Sequence, residues 1–202
     1  ELQCTSYRCP GRCAAVGDPH YITFDGHPYS FQGTCSYILA TDFCDDDNPT
    51  NGTFKVEVEN VPCGTEGMSC TKSAKVYING TMIHLIRGAE PIVTGHPIDG
   101  PNSGIEIIRI GVFIQITTKT GIIVQWDMLM RVYVILDPVY MGKVCGLCGN
   151  FDKNAANDQT ARSGQLEDNP IAFANSWYAS SDCPAVVDPV NPCEMTPERE
   201  LW

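Results

Sequence analysis

The sequence lacks any apolar run that approaches the ~20 residues needed to cross a membrane as a helix. Its N-terminus also lacks the pattern of a signal peptide, so we expect a mature fragment of a longer protein. Basic residues are few, 13 against 24 acidic ones, and the net charge is −11. Because nucleic acid and anionic membranes repel an acidic surface, we expect neither as a partner. Cations are the natural counterpart of such a chain.

Charged residues are scarce as well, at 18% of the chain against 43% hydrophobic residues. The 18 Gly and 14 Pro favour short strands joined by tight turns over long helices. A chain of 202 residues is long enough to bury a substantial core. We therefore expect one large all-β domain or two small ones.

The eleven cysteines are the strongest signal in the composition. Thiols at this density would be kept reduced in the cytosol but cross-link in an oxidising compartment. Two N-glycosylation sequons begin at Asn51 and Asn79 and agree with passage through a secretory route. We therefore predict a secreted, extracellular glycoprotein.

Strand-like segments recur with even spacing from Tyr21 to Leu136. In several of them apolar and polar residues alternate, which buries one face of a sheet and exposes the other to water. About ten segments predict a β-sandwich of two packed antiparallel sheets. The predicted strands are 21–24, 29–31, 35–40, 54–59, 75–78, 81–85, 105–110, 112–117, 122–126 and 131–136. A loop rich in Gly, Asn and Asp follows at 141–158, and then a short helix at 171–178.

This loop carries oxygen-bearing side chains at close spacing. Calcium takes roughly six to eight oxygen ligands, and a curled loop can point every second or third residue towards one ion. Magnesium requires a stricter octahedron, and an EF-hand would need a glycine and a glutamate that are missing here. From the residues alone, an ordinary turn stays an equal alternative. The candidate side chains are Asn150, Asp152, Asn154, Asn157 and Asp158.

Three separated motifs carry a resemblance to a known family. They are His20-Tyr21-Ile22-Thr23-Phe24-Asp25-Gly26, Cys145-Gly146-Leu147-Cys148-Gly149-Asn150-Phe151-Asp152 and Asn175-Ser176-Trp177. In this order they resemble the type D domain found in von Willebrand factor, gel-forming mucins, zonadhesin and the IgG-Fc-binding mucus protein. The resemblance implies a D domain over 13–183. Residues 1–12 would be the tail of a preceding cysteine-rich module, and 184–202 a linker to a following one.

The resemblance also implies a calcium site and a set of disulfides. The implied calcium ligands are Asp25, Asn150, Asp152, Asn157, Asp158 and the main-chain carbonyl of Asn154. The implied disulfides are Cys13–Cys148, Cys35–Cys183, Cys44–Cys145 and Cys63–Cys70. Cysteine counting alone cannot choose among the many pairings. Three cysteines, Cys4, Cys9 and Cys193, remain for neighbouring modules or for each other.

The tetrapeptide Gly17-Asp18-Pro19-His20 offers one piece of covalent chemistry. In related D domains it undergoes autocatalytic cleavage, which here implies a break between Asp18 and Pro19. From the chemistry of the residues, we expect His20 to donate the proton to the leaving nitrogen. The alternative is that Asp18 and Pro19 simply begin the first strand. Cleavage would occur once per chain, so we do not expect an enzyme.

The leading functional hypothesis is a calcium-binding structural module of a large secreted glycoprotein that multimerises or forms a gel. Its partners would be other domains of the same or identical chains, joined through disulfides, and extracellular proteins. A second hypothesis is a ligand-binding module of an extracellular regulator such as a growth-factor-binding protein. A third is a thiol-disulfide oxidoreductase using the spacing of Cys145 and Cys148, although no thioredoxin-like βαβ pattern surrounds them.

Overall fold

The computed structural model describes residues 9–17, 20–44, 52–64, 68–98, 104–180 and 183. These residues form twelve β-strands, two single-turn 3-10 helices and one short α-helix, which confirms the predicted all-β class. The strands are β1 Gly11–Val16, β2 His20–Ile22, β3 Pro28–Ser30, β4 Ser36–Thr41, β5 Phe54–Pro62, β6 Ser69–Ile78, β7 Thr81–Ile86, β8 Ile92–Gly95, β9 Ile105–Ile110, β10 Phe113–Thr118, β11 Ile122–Trp126 and β12 Arg131–Leu136. The 3-10 helices are Pro138–Tyr140 and Ala155–Asn157, and the helix α1 is Pro170–Asn175.

The strands form two antiparallel sheets, as the alternation predicted. Sheet A has seven strands in the order β3-β2-β1-β12-β11-β10-β9, and sheet B has five in the order β4-β5-β6-β7-β8. Alternate residues of both sheets turn inward, where they share one hydrophobic core. Each large side chain that is fully buried there contributes on the order of 1.5–3 kcal/mol. The largest are Trp126, Tyr21, Tyr37, Phe31 and Phe54.

Two strands, β1 and β8, fall where no strand was predicted. Strand β1 contains glycine and two alanines, which have little β-propensity, yet it lies in sheet A between β2 and β12. Its neighbours on both sides supply the pairing that its own sequence does not favour. Because β1 begins at Gly11, both Gly11 and Arg12 belong to the sheet and not to a tail outside the fold.

Strand β6 begins at Ser69, whereas the sequence predicted its start at Lys75. Its first half is polar, which hid it from a search for apolar alternation. The structure buries this half by satisfying its polar groups: Gln32 Oε1 accepts from the Ser69 N–H at 2.9 Å, and Thr71 Oγ1 donates to Asn60 at 3.1 Å. Buried polar groups are tolerated when they are hydrogen-bonded in this way.

The loop that was singled out as a metal site is held against both sheets. Main-chain hydrogen bonds tie Cys145 to Thr41 and Cys148 to Leu39 along the outer edge of β4. The Phe24 N–H, just after β2, donates to the Cys148 carbonyl at 3.0 Å. The loop therefore joins the edge of sheet B to the first hairpin of sheet A. Among the described residues, no helix is long and apolar enough to cross a membrane.

Candidate metal centre

The turn between β2 and β3 carries Asp25. The Thr23 N–H donates to the His27 carbonyl, and the Gly26 N–H donates to the Thr23 carbonyl, both at 3.1 Å. Gly26 has φ +90°, a conformation that glycine adopts without a steric penalty. The turn presents the Asp25 carboxylate to the loop, where it accepts the N–H groups of Asp152 and Lys153 at 2.9 Å each.

Within the loop, three predicted ligands meet around one carboxylate. Asp152 Oδ2 accepts from the side-chain amides of Asn150 at 3.1 Å and Asn157 at 2.8 Å. Asp152 Oδ1 accepts the N–H of Asn154 at 2.8 Å. The Asn154 side chain then caps the short 3-10 helix that carries Asn157. The structure thus brings the candidates of the loop together.

Asp158 lies deeper, with 1% of its surface exposed. Thr23 Oγ1 donates to its Oδ2 at 2.6 Å, and the Asn150 N–H donates to its Oδ1 at 3.3 Å. Burial raises the pKa of the Asp158 carboxyl above its ordinary value, and the nearby Asp25 carboxylate adds to this rise. The hydrogen bond from Thr23 acts in the opposite direction. A positive ion would stabilise the charged form of this carboxyl.

Two further features of the loop fit a cation. The Asn157 Oδ1 is buried and has no hydrogen-bond partner in the described part of the chain, which costs on the order of 1–3 kcal/mol. Phe151 and Lys153 have φ of +56° and +75°, a left-handed conformation that is uncommon outside glycine and collects at ligand clamps. A calcium ion would use the unpaired oxygen and offset the strain, so the residues present fit this metal.

Acidic side chains would supply only part of the ligands for an ion at this centre. No three Asp, Glu, His or Cys side chains among the described residues form a metal-binding group. An ion here would depend on amide and main-chain oxygens in addition to the carboxylates of Asp25, Asp152 and Asp158. Calcium accepts such ligands, whereas zinc prefers nitrogen and sulfur.

Sequence reasoning missed Thr23, which is fully buried and contacts Asp158 directly. One signal for it was available. Thr23 follows Tyr21 by two residues, and a polar residue on the inward side of an alternating pattern needs a buried partner. What the sequence could not show is that this partner is Asp158, which lies 135 residues further along the chain.

The part of the chain that the structure describes contains four disulfides, and they are the pairs that the resemblance implies. Cys145 and Cys148 bond to different partners, so they do not form the dithiol pair of an oxidoreductase. Cys9 is exposed and has no disulfide partner within the described residues; Cys4 and Cys193 lie outside them. The bonds are Cys13–Cys148, Cys35–Cys183, Cys44–Cys145 and Cys63–Cys70, with Cα–Cα distances of 5.6, 5.7, 5.8 and 5.7 Å.

The remaining predicted sites are placed only in part. Asp18 and Pro19 lie outside the described residues, as does Asn51. His20 begins β2, and its Nδ1 lies 2.7 Å from the Ser30 hydroxyl on the facing strand β3. Asn79 is exposed in the turn between β6 and β7. A glycan on Asn79 stays a prediction.

Relatives of this chain are similar to it over nearly its whole length. SCO-spondin from Gallus gallus is 43% identical over 206 residues, which cover 99% of this chain and 4% of that protein. Mucin-5B from Homo sapiens is 43% identical over 99% of this chain and 3% of its own length. Mucin-2 from Rattus norvegicus is 39% identical over 99% of this chain and 13% of its own. This chain therefore spans a small part of each relative.

The model of one protein family, described as the von Willebrand factor type D domain, matches residues 13–165. The match includes Cys13 and Cys148, the turn that carries Asp25, and the whole of the loop from Asn150 to Asp158. Together with the near-complete coverage by its relatives, it shows that the chain belongs to the von Willebrand factor type D domain family.

Proposed function

We propose that this chain is a calcium-binding structural and interaction module of a large secreted glycoprotein that multimerises or forms a gel. The observation that best supports it is the convergence of the first hairpin and the loop on one polar centre, through Asp25 and Asp158. The relatives include mucins, and they support an extracellular glycoprotein as the parent. Partners would be other domains of the same or identical chains, joined through disulfides, and further extracellular proteins.

The ligands would be the carboxylates of Asp25, Asp152 and Asp158, the side-chain oxygens of Asn150 and Asn157, and the main-chain carbonyl of Asn154. When bound, calcium would neutralise these carboxylates and cross-link the loop to the first hairpin. The chain itself supplies most of the arrangement, because hydrogen bonds already hold Asp25 and Asp158 in place. The function of the ion is therefore structural: it would fix the first hairpin to the loop that follows β12.

Thermal unfolding tests the metal centre. With free calcium at about 100 times its dissociation constant, we expect a stabilisation of about 2.7 kcal/mol relative to chelator. For a domain of this size this corresponds to a rise in Tm of roughly 5–10 °C. Magnesium at the same concentration should give a smaller shift. The measurement is a differential scanning calorimetry series in calcium, magnesium and chelator.

A pair of variants makes this test specific. Asp152→Asn removes the carboxylate at the centre of the loop and should abolish most of the calcium-dependent shift. Asp168→Asn removes an exposed carboxylate outside the centre and should leave the shift intact, although both variants change net charge equally. Unfolding midpoints that are the same in calcium and chelator would refute the proposed metal centre.

Self-cleavage between Asp18 and Pro19 is the second part of the proposal. The Asp18 carboxylate would attack its own main-chain carbonyl, the Asp18–Pro19 C–N bond would break, and His20 would give a proton to the leaving nitrogen. The resulting anhydride at Asp18 is opened by water. The hydrogen bond between His20 and Ser30 supports this role, because it orients the imidazole on β2.

Mass spectrometry of the reduced, denatured chain decides whether cleavage occurs. We expect two fragments, one ending at Asp18 and one beginning at Pro19. Without reduction they stay joined, since the disulfide Cys13–Cys148 links them. Asp18→Asn should remain intact because an amide does not form the anhydride. A single wild-type chain of 22.1 kDa plus glycans would contradict cleavage and leave the metal centre unaffected.

A further inference from the structure

Thr23 occupies a distinctive position between the two halves of the centre. Its side chain is fully buried, and its hydroxyl makes two hydrogen bonds in different directions. It donates to Asp158 Oδ2 at 2.6 Å and accepts the His27 N–H at 2.8 Å. One hydroxyl therefore contacts both a predicted ligand from the loop and the turn that carries another ligand, Asp25.

Each of the two hydrogen bonds of the Thr23 hydroxyl holds one part of the centre in place. Asp158 is buried beside Asp25, so its carboxylate would lose a favourable neighbour if the Thr23 hydroxyl were absent. The second bond closes the turn, which the main-chain bond from the Thr23 N–H to the His27 carbonyl also holds. Without the hydroxyl, the Asp158 side chain could rotate and the turn would lose one of its ties. Either change would misplace a ligand of an ion that needs several oxygens at once.

We infer that Thr23 is a positioning residue of the metal centre, and this inference rests on the proposed calcium site. Its hydroxyl fixes the Asp158 carboxylate and the Asp25 turn in the arrangement that calcium needs, before the ion binds. Thr23 does not touch the ion in this scheme; it acts through Asp158. Groups that orient metal ligands in this way typically change metal affinity by roughly 10- to 100-fold when they are removed.

Calorimetric titration of calcium into the whole, chelator-treated chain tests this role. Thr23→Val keeps the shape of the side chain and removes the hydroxyl, and we expect a loss of affinity of roughly 10- to 100-fold. Thr23→Ser keeps the hydroxyl and both of its hydrogen bonds, so its loss of affinity should stay below about 10-fold. Thr23→Ala is a second variant without the hydroxyl, in case the methyl group that valine places beside the Asp158 carboxylate disturbs folding.

Thr118→Val is the matched control. Thr118 is also buried, and its hydroxyl donates to the Ile122 carbonyl and accepts the Ile122 N–H in the hairpin between β10 and β11, with the Thr120 hydroxyl 2.9 Å away. Its loss should lower stability but leave calcium affinity unchanged. If Thr118→Val weakened calcium binding as much as Thr23→Val does, the effect would be general destabilisation and the assigned role would be wrong.

A measurement without metal separates positioning from stability. In the calcium-free chain, three-bond NMR couplings should show one χ1 rotamer for Asp158 in wild type and in Thr23→Ser. In Thr23→Val they should show averaging. Equal calcium affinity of wild type and Thr23→Val would overturn only the role assigned to Thr23 and would leave the proposed metal centre unaffected. A wild-type chain that binds no calcium would overturn the proposed metal centre and this role with it.

Discussion

Replacing Cys13 and Cys148 together with alanine should lower the free energy of unfolding by about 5 kcal/mol. Their disulfide joins residues 135 positions apart, so it restricts the unfolded chain more than a short bridge does. Both cysteines are fully buried, which adds lost packing to the loss of the cross-link. Because total stabilities are about 5–15 kcal/mol, the variant would be close to unfolding. Urea denaturation followed by tryptophan fluorescence measures the change.

The bridge between Cys63 and Cys70 provides the control for this experiment. It spans only seven positions, and its removal should cost about 2.5 kcal/mol in the same chain-entropy model. Both of its cysteines are partly exposed, so little packing is lost. If the two double variants lost equal stability, loop length would not account for the effect of the longer bridge.

The longer bridge also affects the metal centre. The Cys148 carbonyl accepts the N–H of Phe24, which directly precedes Asp25. Cys13 lies in β1, which pairs with both β2 and β12. We therefore expect calcium affinity to fall in the variant without the Cys13–Cys148 bridge and to stay near wild type in the variant without Cys63–Cys70.

The alternation of apolar and polar residues predicted the strands whose sequences give them one apolar and one polar face, such as β5, β10, β11 and β12. It failed where the pairing partners decide the conformation. Strand β1 has two alanines and a glycine, and its stability comes from β2 and β12 on either side. The first half of β6 is polar and is buried by hydrogen bonds that only the tertiary structure reveals. No local pattern in the sequence carries this information.

The candidate metal centre, too, was predictable from the sequence only in part. The spacing of Asn and Asp residues in the loop was visible in the sequence, and family resemblance added Asp25. The sequence could not show that Asp25 binds the main-chain N–H groups of Asp152 and Lys153, because 127 residues separate Asp25 from Asp152. Nor could it show that the partner of the Thr23 hydroxyl is Asp158, because the two residues are 135 positions apart and meet only in the folded chain.

Substituting Gly149 with alanine should abolish the calcium-dependent rise in Tm. Gly149 has φ +75°, where an alanine costs roughly 1–2 kcal/mol in backbone strain. The added Cβ would also collide with the Asp158 carboxyl group, whose Oδ1 occupies the same space. Asp158 is 1% exposed and bonded to Thr23, so moving its carboxylate away from the added Cβ would disturb this hydrogen bond. Calorimetry in calcium and in chelator measures both the lost shift and the lost stability.

The variant Gly164→Ala separates the effect of backbone strain from the effect of the collision with Asp158. Gly164 has a similar φ of +83°, but a Cβ there would meet no atom within 4 Å. This variant should therefore show the backbone strain of roughly 1–2 kcal/mol and keep the full calcium-dependent shift. If Gly149→Ala kept that shift as well, Asp158 would not be a ligand, since the added Cβ displaces its carboxylate directly. If both variants lost the shift, strain anywhere in 149–164 would explain it, and the position of Asp158 would not be the cause.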